Sequence, residues 1–268
     1  MKKLIALMLA LVMVLALAAC GAEKAPATEP ATDPVDTTPA DDAAKVLTYE
    51  EFAAIDITDG DVAVVVETAI QAYESWWDGE IDLYCQDENG AYYVYGVKCT
   101  EEEAKAFVPG TKIRVSGYKT AWDGEVEIVD AKVEILDGTY TVESALDATA
   151  LLGTDELAAE MNKKVAFKGL TVVASQIKDE GGNVVSEHDF LYKWDGSGEQ
   201  GDDLYFNVEL NGNIYTFTVN AYMNGTGSDS EVYKAVEGLK VGDKIDVDGF
   251  LYWYNGAQPH LTSVTPAA

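Results

Sequence analysis

A nine-residue segment near the middle of the chain returns near its end. Gly110-Thr111-Lys112-Ile113-Arg114-Val115-Ser116-Gly117-Tyr118 matches Gly242-Asp243-Lys244-Ile245-Asp246-Val247-Asp248-Gly249-Phe250 at a shift of 132 residues. The shift holds without a gap to Trp122-Asp123-Gly124 and Tyr254-Asn255-Gly256. Upstream, Asp87-Glu88-Asn89-Gly90 matches Glu209-Leu210-Asn211-Gly212 at a shift of 122, so the second copy carries about ten extra residues, around Asn224-Gly225-Thr226-Gly227-Ser228. Internal self-similarity constrains a chain to build one structural unit twice. The 268 residues leave room for two domains of ordinary size.

Each copy reads as five strands and one helix. Strand one is Val62 to Thr68 in the first copy and Lys164 to Val173 in the second. Strands two and three form hairpins closed at Asn89-Gly90 and Asn211-Gly212, because Asn-Gly supplies the positive φ that a two-residue turn needs. Alternation in Tyr93, Tyr95 and Val97, and in Tyr215, Phe217 and Val219, is strand-like with one face buried. A helix follows, opened by Thr100 with Glu103 as its capping-box partner, and by Ser230 in the second copy. Strands four and five turn at Asp123-Gly124 and Asn255-Gly256. Short helices at Thr48 to Ala54 and Thr154 to Met161 precede the two units.

This order of strands and helix resembles the OB-fold, a five-stranded barrel with its helix between strands three and four. The expected fold class is therefore mainly β: two tandem OB-fold-like barrels, residues 46–138 and 139–268. The wording of the first copy resembles OB-like modules in secreted lipoproteins of Gram-positive gut bacteria, a group with no established activity. Trp76-Trp77-Asp78-Gly79, Gln86-Asp87-Glu88-Asn89-Gly90-Ala91-Tyr92 and Pro109-Gly110 through Tyr118 carry that likeness.

The N-terminus has the layout of a secretion signal, residues 1–19: Lys2 and Lys3, then an uncharged apolar stretch from Leu4 to Leu17. Leu17-Ala18-Ala19-Cys20 resembles the lipobox of bacterial lipoproteins. The resemblance implies cleavage before Cys20, a diacylglyceryl group (palmitate or similar) on its sulfur, and a place on the outer face of the cell membrane. Residues 20–45 hold four of the seven prolines and no aromatic residue, the composition of a disordered tether.

Without Lys2 and Lys3 the chain has 16 basic residues against 47 acidic ones, a net charge of −31. Phosphate backbones are bound through Lys and Arg, so the charge leads to the expectation of no nucleic-acid ligand. The acidity suits, at most, loosely bound Ca2+; Asp195-Gly196-Ser197-Gly198-Glu199 with Asp202 and Asp203 gathers oxygen ligands but departs from the EF-hand loop. No other cofactor is expected. Cys85 and Cys99 are either a disulfide, which export permits, or two free thiols.

All five tryptophans stand at expected turns. Trp76 and Trp77 precede Asp78, Trp122 precedes Asp123, Trp194 precedes Asp195, and Trp253 precedes Tyr254-Asn255. In an OB barrel these are the loops joining strands one to two and four to five, which flank the usual ligand face. An indole beside a carboxylate or amide suits a sugar ring, whose C–H face stacks while its hydroxyls hydrogen-bond. Packing across their own hairpins is the alternative. Trp76, Trp77 and Trp122 are expected to converge at one rim.

Enzyme constellations are thin. His188, in Glu187-His188-Asp189, and His260 are the only histidines, and no Gly-x-Ser-x-Gly, His-Glu-x-x-His or phosphate-cradling loop is present. The sequence thus suggests a membrane-anchored extracellular binding protein, its ligand a glycan. A cell-envelope structural or protein-interaction module is the alternative, and a hydrolase using acidic residues the third reading.

Overall fold

The computed structural model describes residues 45–267. The signal segment, Cys20 and all but the last residue of the tether lie outside the described residues. No helix among the described residues is long and apolar enough to cross a membrane.

The first barrel consists of α1 (Tyr49–Ala53), β1 (Val62–Tyr73), β2 (Glu80–Gln86), β3 (Ala91–Lys98), α2 (Glu101–Ala104), β4 (Thr111–Trp122) and β5 (Glu125–Thr139). Its strands close in the order β1-β2-β3-β5-β4, with β3 and β5 parallel and the other pairs antiparallel. Alternation decides which side chains enter the barrel. Leu83 and Cys85 on β2, Tyr92 and Val94 on β3, and Ile113 and Val115 on β4 are buried in one apolar cluster. Thr48 and Thr100 cap α1 and α2, each completing the reciprocal capping box with Glu51 or Glu103.

The turn expected at Asn89-Gly90 differs from the structure. Gln86 pairs with Ala91, so the loop holds four residues, and neither Asn89 nor Gly90 has a positive φ. The Asp87 carboxylate accepts from the Asn89 N–H at 2.8 Å and replaces the turn chemistry assumed from the dipeptide. Gly90 is needed for space, since a Cβ there would overlap the Tyr49 ring. At Asn211-Gly212 and Asp123-Gly124 the positive φ values are present, as the sequence led us to expect.

The second barrel follows the short β6 (Leu146–Asp147). It contains β7 (Lys164–Val173), the ribbon β8 (Ser175–Lys178) and β9 (Val184–His188), β10 (Leu191–Tyr192), β11 (Leu204–Leu210), β12 (Asn213–Val219), α3 (Glu231–Glu237), β13 (Lys244–Phe250) and β14 (His260–Pro266). The order β11-β12-β14-β13-β7 closes through pairing of β7 with β11. Both units thus have the strand order of the OB-fold. The helix expected at Thr154–Met161 is instead a 3-10 helix, Asp155–Glu160. The Thr154 hydroxyl donates to the Leu151 carbonyl and makes no cap bond to the helix.

The extra residues around Asn224 to Ser228 form the connection between β12 and α3, while a second insertion, carrying β8 to β10, lies between β7 and β11. In the β12–α3 connection Asn220 to Asn224 grip the first barrel. The Asn224 N–H donates to the Tyr73 carbonyl, its side-chain oxygen accepts from the Tyr73 N–H at 2.7 Å, and the Ser75 N–H donates to the Tyr222 carbonyl. One of the two segments that break the repeat therefore joins its two copies.

Candidate functional site

Strands two and three of each barrel present an outward face, and the two faces have different fates. In the first barrel that face carries Tyr84 opposite Tyr93, directed away from the core formed by Leu83, Cys85, Tyr92 and Val94. Both tyrosines are nonetheless buried, packed with Ala72 and with Met223, Phe250 and Tyr252 of the second barrel. The first barrel's face is occupied by its neighbour.

In the second barrel the equivalent face pairs Asn207 with Thr216 and Glu209 with Ile214. The Thr216 hydroxyl donates to the Asn207 side-chain oxygen at 2.8 Å, which fixes the amide with respect to the sheet. Beside them lies a cavity of about 640 Å3 whose lining includes Gln176, Ile177, Trp194, Asp195, Asn207 and Ile214. A second cavity, of about 410 Å3, is lined by Asp155, Tyr215, Trp253, Tyr254, Asn255 and Gln258, among others. Ile214, exposed on β12, borders both, and the two together are termed the groove. Loops from either side of the sheet supply its aromatic edges: Trp194 from the long connection before β11, and Trp253 with Tyr254 from the β13–β14 turn.

The expected site residues distribute as follows. Trp194 is 75% exposed and stands in the groove. Asp195 beside it bonds its own loop, accepting from the Ser197 N–H at 3.0 Å and hydroxyl at 2.7 Å. Trp253, Tyr254 and Asn255 line the other end. Trp122 lies against Tyr254 with ring centroids 5.4 Å apart, and the Asp123 carbonyl accepts from the Asn255 N–H at 2.8 Å. Trp76 is half-buried against the first core, its indole N–H donating to the Cys99 carbonyl at 2.9 Å. Trp77 is 81% exposed, and Asp78 stands beside it in the tight turn that closes with a bridge between Trp77 and Glu80. The structure records no contact that gathers Trp76, Trp77 and Trp122; Trp122 is instead joined to the turn of the other barrel.

The disulfide is not formed: Cys85 and Cys99 are free thiols. Cys85 pairs with Tyr92 at the closed end of the β2–β3 hairpin. The Cys99 N–H bonds the Gly79 carbonyl at the open end. The length of β2, roughly 20 Å at about 3.3 Å per residue, lies between them, whereas bridged cysteines need Cα atoms within about 7 Å. The acidic loop expected to attract Ca2+ turns its carboxylates onto protein donors. Asp202 accepts from the Glu199 N–H and Asp203 from the Ala221 N–H. Among the described residues no three or more His, Cys, Asp or Glu are placed to hold a metal. His188 is exposed on β9 and contacts Ser186.

A group of titratable residues at the joint between the barrels carries no sequence signal. Burial pushes the carboxyls of Glu74 and Glu127 up to about 7 and that of Glu125 to about 8, and raises Asp82. Burial also drives His260 down to about 3, so it is neutral. The missed groove residues are Gln176, Asn207, Ile214, Thr216, Asp155 and Gln258. Alternation along β11 and β12 would have placed Asn207, Ile214 and Thr216 on the outer face.

No family model and no curated protein matches the chain. Among solved structures, the HINa domain of Ifi202 in complex with 20-bp double-stranded DNA is similar at 14% identity and TM-score 0.32, over 78% of this chain and 100% of that one. A deletion mutant of the single-stranded DNA-binding protein from Thermus aquaticus matches at 14% and 0.27, covering 79% and 85% of the respective chains. A replication protein A heterotrimer bound to single-stranded DNA matches at 9% and 0.30, covering 81% and 51%. These likenesses concern the fold alone. They nevertheless correct the expectation of no nucleic-acid ligand. Two of these neighbours hold DNA in the structures compared, and the expectation is withdrawn.

Proposed function

We propose that this protein is a lipid-anchored binding protein of the outer cell surface, and that the open face of its second barrel takes glycan chains. The observation that carries the reading is Trp194. An indole 75% exposed to solvent contributes little to folding, yet it stands over a cavity whose walls present Gln176, Asn207 and Asp195. Aromatic surface beside fixed amide and carboxyl groups is complementary to a sugar ring. Trp253 and Tyr254 repeat the combination with Asn255 and Gln258. The anchor rests on the Leu17-Ala18-Ala19-Cys20 pattern, which implies attachment through lipid on Cys20.

A glycan array on the chain from Gly21 onward, with single-stranded DNA as a parallel probe, tests the ligand class. We expect binding to neutral oligosaccharides, with a change in Trp fluorescence that Trp194→Ala abolishes. DNA binding in place of sugar would overturn the glycan reading. Absence of any response would favour an envelope structural module, and turnover of a bound sugar would favour a hydrolase. Labelling of the intact cell-expressed chain with radioactive palmitate, lost in Cys20→Ser, tests the anchor.

A further inference from the structure

We infer that Glu125, a residue of the first barrel, is a positioning residue for the ligand groove of the second, an inference that rests on the groove being the binding site. The turn between β4 and β5 holds the turn between β13 and β14 from beneath. Glu125 Oε2 accepts from the Trp253 N–H at 2.7 Å, and the Asp123 carbonyl accepts from the Asn255 N–H at 2.8 Å. Gly124 lies between these bonds at φ 96°, and a Cβ there would come within 2.8 Å of Trp253 Cδ1, so the indole rests on bare backbone. Trp122 backs Tyr254. Three residues that line the groove, Trp253, Tyr254 and Asn255, thus each meet one or more of four consecutive residues of the other barrel, in addition to the packing of Trp253 on the second barrel's own core and its bridge to Ala257.

Glu125 has 0% exposure, and its other oxygen, Oε1, has no hydrogen-bond partner. A buried carboxylate with a bare oxygen is costly, which matches a carboxyl that keeps its proton up to about pH 8. The groups that bear on it are Glu127 on its own strand, Tyr252 of the second barrel, and Asn162, whose amide donates to the neighbouring Val126 carbonyl. A neutral carboxyl accepting one backbone bond is what a glutamine amide can replace and an alanine cannot.

The test follows the Trp253 backbone amide by NMR in the chain from Gly21 onward, with cellohexaose as the binding probe. In the unaltered protein the amide signal should titrate with a midpoint near pH 8. Glu125→Gln should flatten that titration and leave cellohexaose affinity within about twofold, while Glu125→Ala should weaken it about tenfold or more. A Trp253 signal that does not titrate, or that titrates alike in all three proteins, overturns the inference whatever binds. Equal cellohexaose affinity in the Gln and Ala variants does so too. If the amide behaves as expected and cellohexaose does not bind, Glu125 still places the loop, and it is the glycan reading that fails.

Discussion

The Tyr84 hydroxyl of the first barrel lies 2.6 Å from Nδ1 of His260 in the second. The same hydroxyl donates to Glu74 Oε1 at 2.8 Å, so its single proton is spent there and the neutral His260 must donate from Nδ1. Glu74 also accepts from the Asn220 side chain at 2.7 Å. His260 stacks on Tyr252, with centroids 4.4 Å apart. The joint is thus a largely buried polar chain set in aromatic packing, where each group depends on the next.

Tyr84→Phe keeps the ring and removes the link. His260 Nδ1 loses its partner, and Glu74 loses one donor. Leaving a buried donor unsatisfied costs about 1–3 kcal/mol, so urea unfolding of the chain from Gly21 onward should show a loss of that size. A change within about 0.5 kcal/mol, the range of surface substitutions, would mean that the contact does not hold the barrels together.

Stability should fall as the pH is raised from mildly acidic to alkaline. Glu74, Glu125 and Glu127 have folded values of about 7 to 8, above the ordinary carboxyl value of 4.5. The folded chain therefore holds protons that the unfolded chain releases, and stability present below about pH 4.5 is lost as pH rises through 7 to 8. His260 acts oppositely, losing stability as pH falls from 6.5 towards 3, but it is one group against three. Below pH 4 the exposed Asp147, held down to about 2 by Lys168, adds to the acid loss. Calorimetry should place the highest Tm near pH 5 and a lower one at pH 8.5. A Tm that is flat or rising across that interval would contradict the burial of these carboxyls.

Trp76 and Trp77 are adjacent in sequence and opposite in role. Trp76→Ala removes a half-buried ring and the bond to the Cys99 carbonyl. It should cost roughly 2–4 kcal/mol. Trp77→Ala removes an exposed ring and should change stability by no more than about 0.5 kcal/mol. Equal effects in thermal melts would refute the assignment.

A thiol reagent such as DTNB should find Cys99 in the folded protein and Cys85 only on unfolding. Cys85 is fully buried, and burial pushes its thiol well above the usual range. Dithiothreitol should leave the melting temperature unchanged. A drop on reduction would show a bridge that the hairpin register forbids.

The five barrel strands and the helix of each copy were legible because alternation, turn residues and caps are local signals, whereas β6, the β8–β9 ribbon and β10 were not expected. The cysteine question was not legible: the sequence left a bridge and two free thiols both open, and only the register with the four-residue loop, which sets Cys85 against Tyr92 and leaves Cys99 beyond the open end, decides it. The 3-10 geometry at Asp155–Glu160 and the four-residue loop at Asp87–Gly90 were not legible either, because Thr154 and Asp87 each had several local partners and only the folded chain chose one.

The aromatic turns were found from sequence and misgrouped. Trp122 and Tyr254 stand at equivalent points of the repeat, and nothing local says that their turns meet. The sequence by itself determined what each barrel is, since period, turn residues and capping act over a few residues. Tertiary structure alone decided which outward face stays open. Tyr84 and Tyr93 offer apolar area that gains by leaving water, and the second barrel covers them, whereas Asn207 and Thr216 satisfy one another in place and remain available.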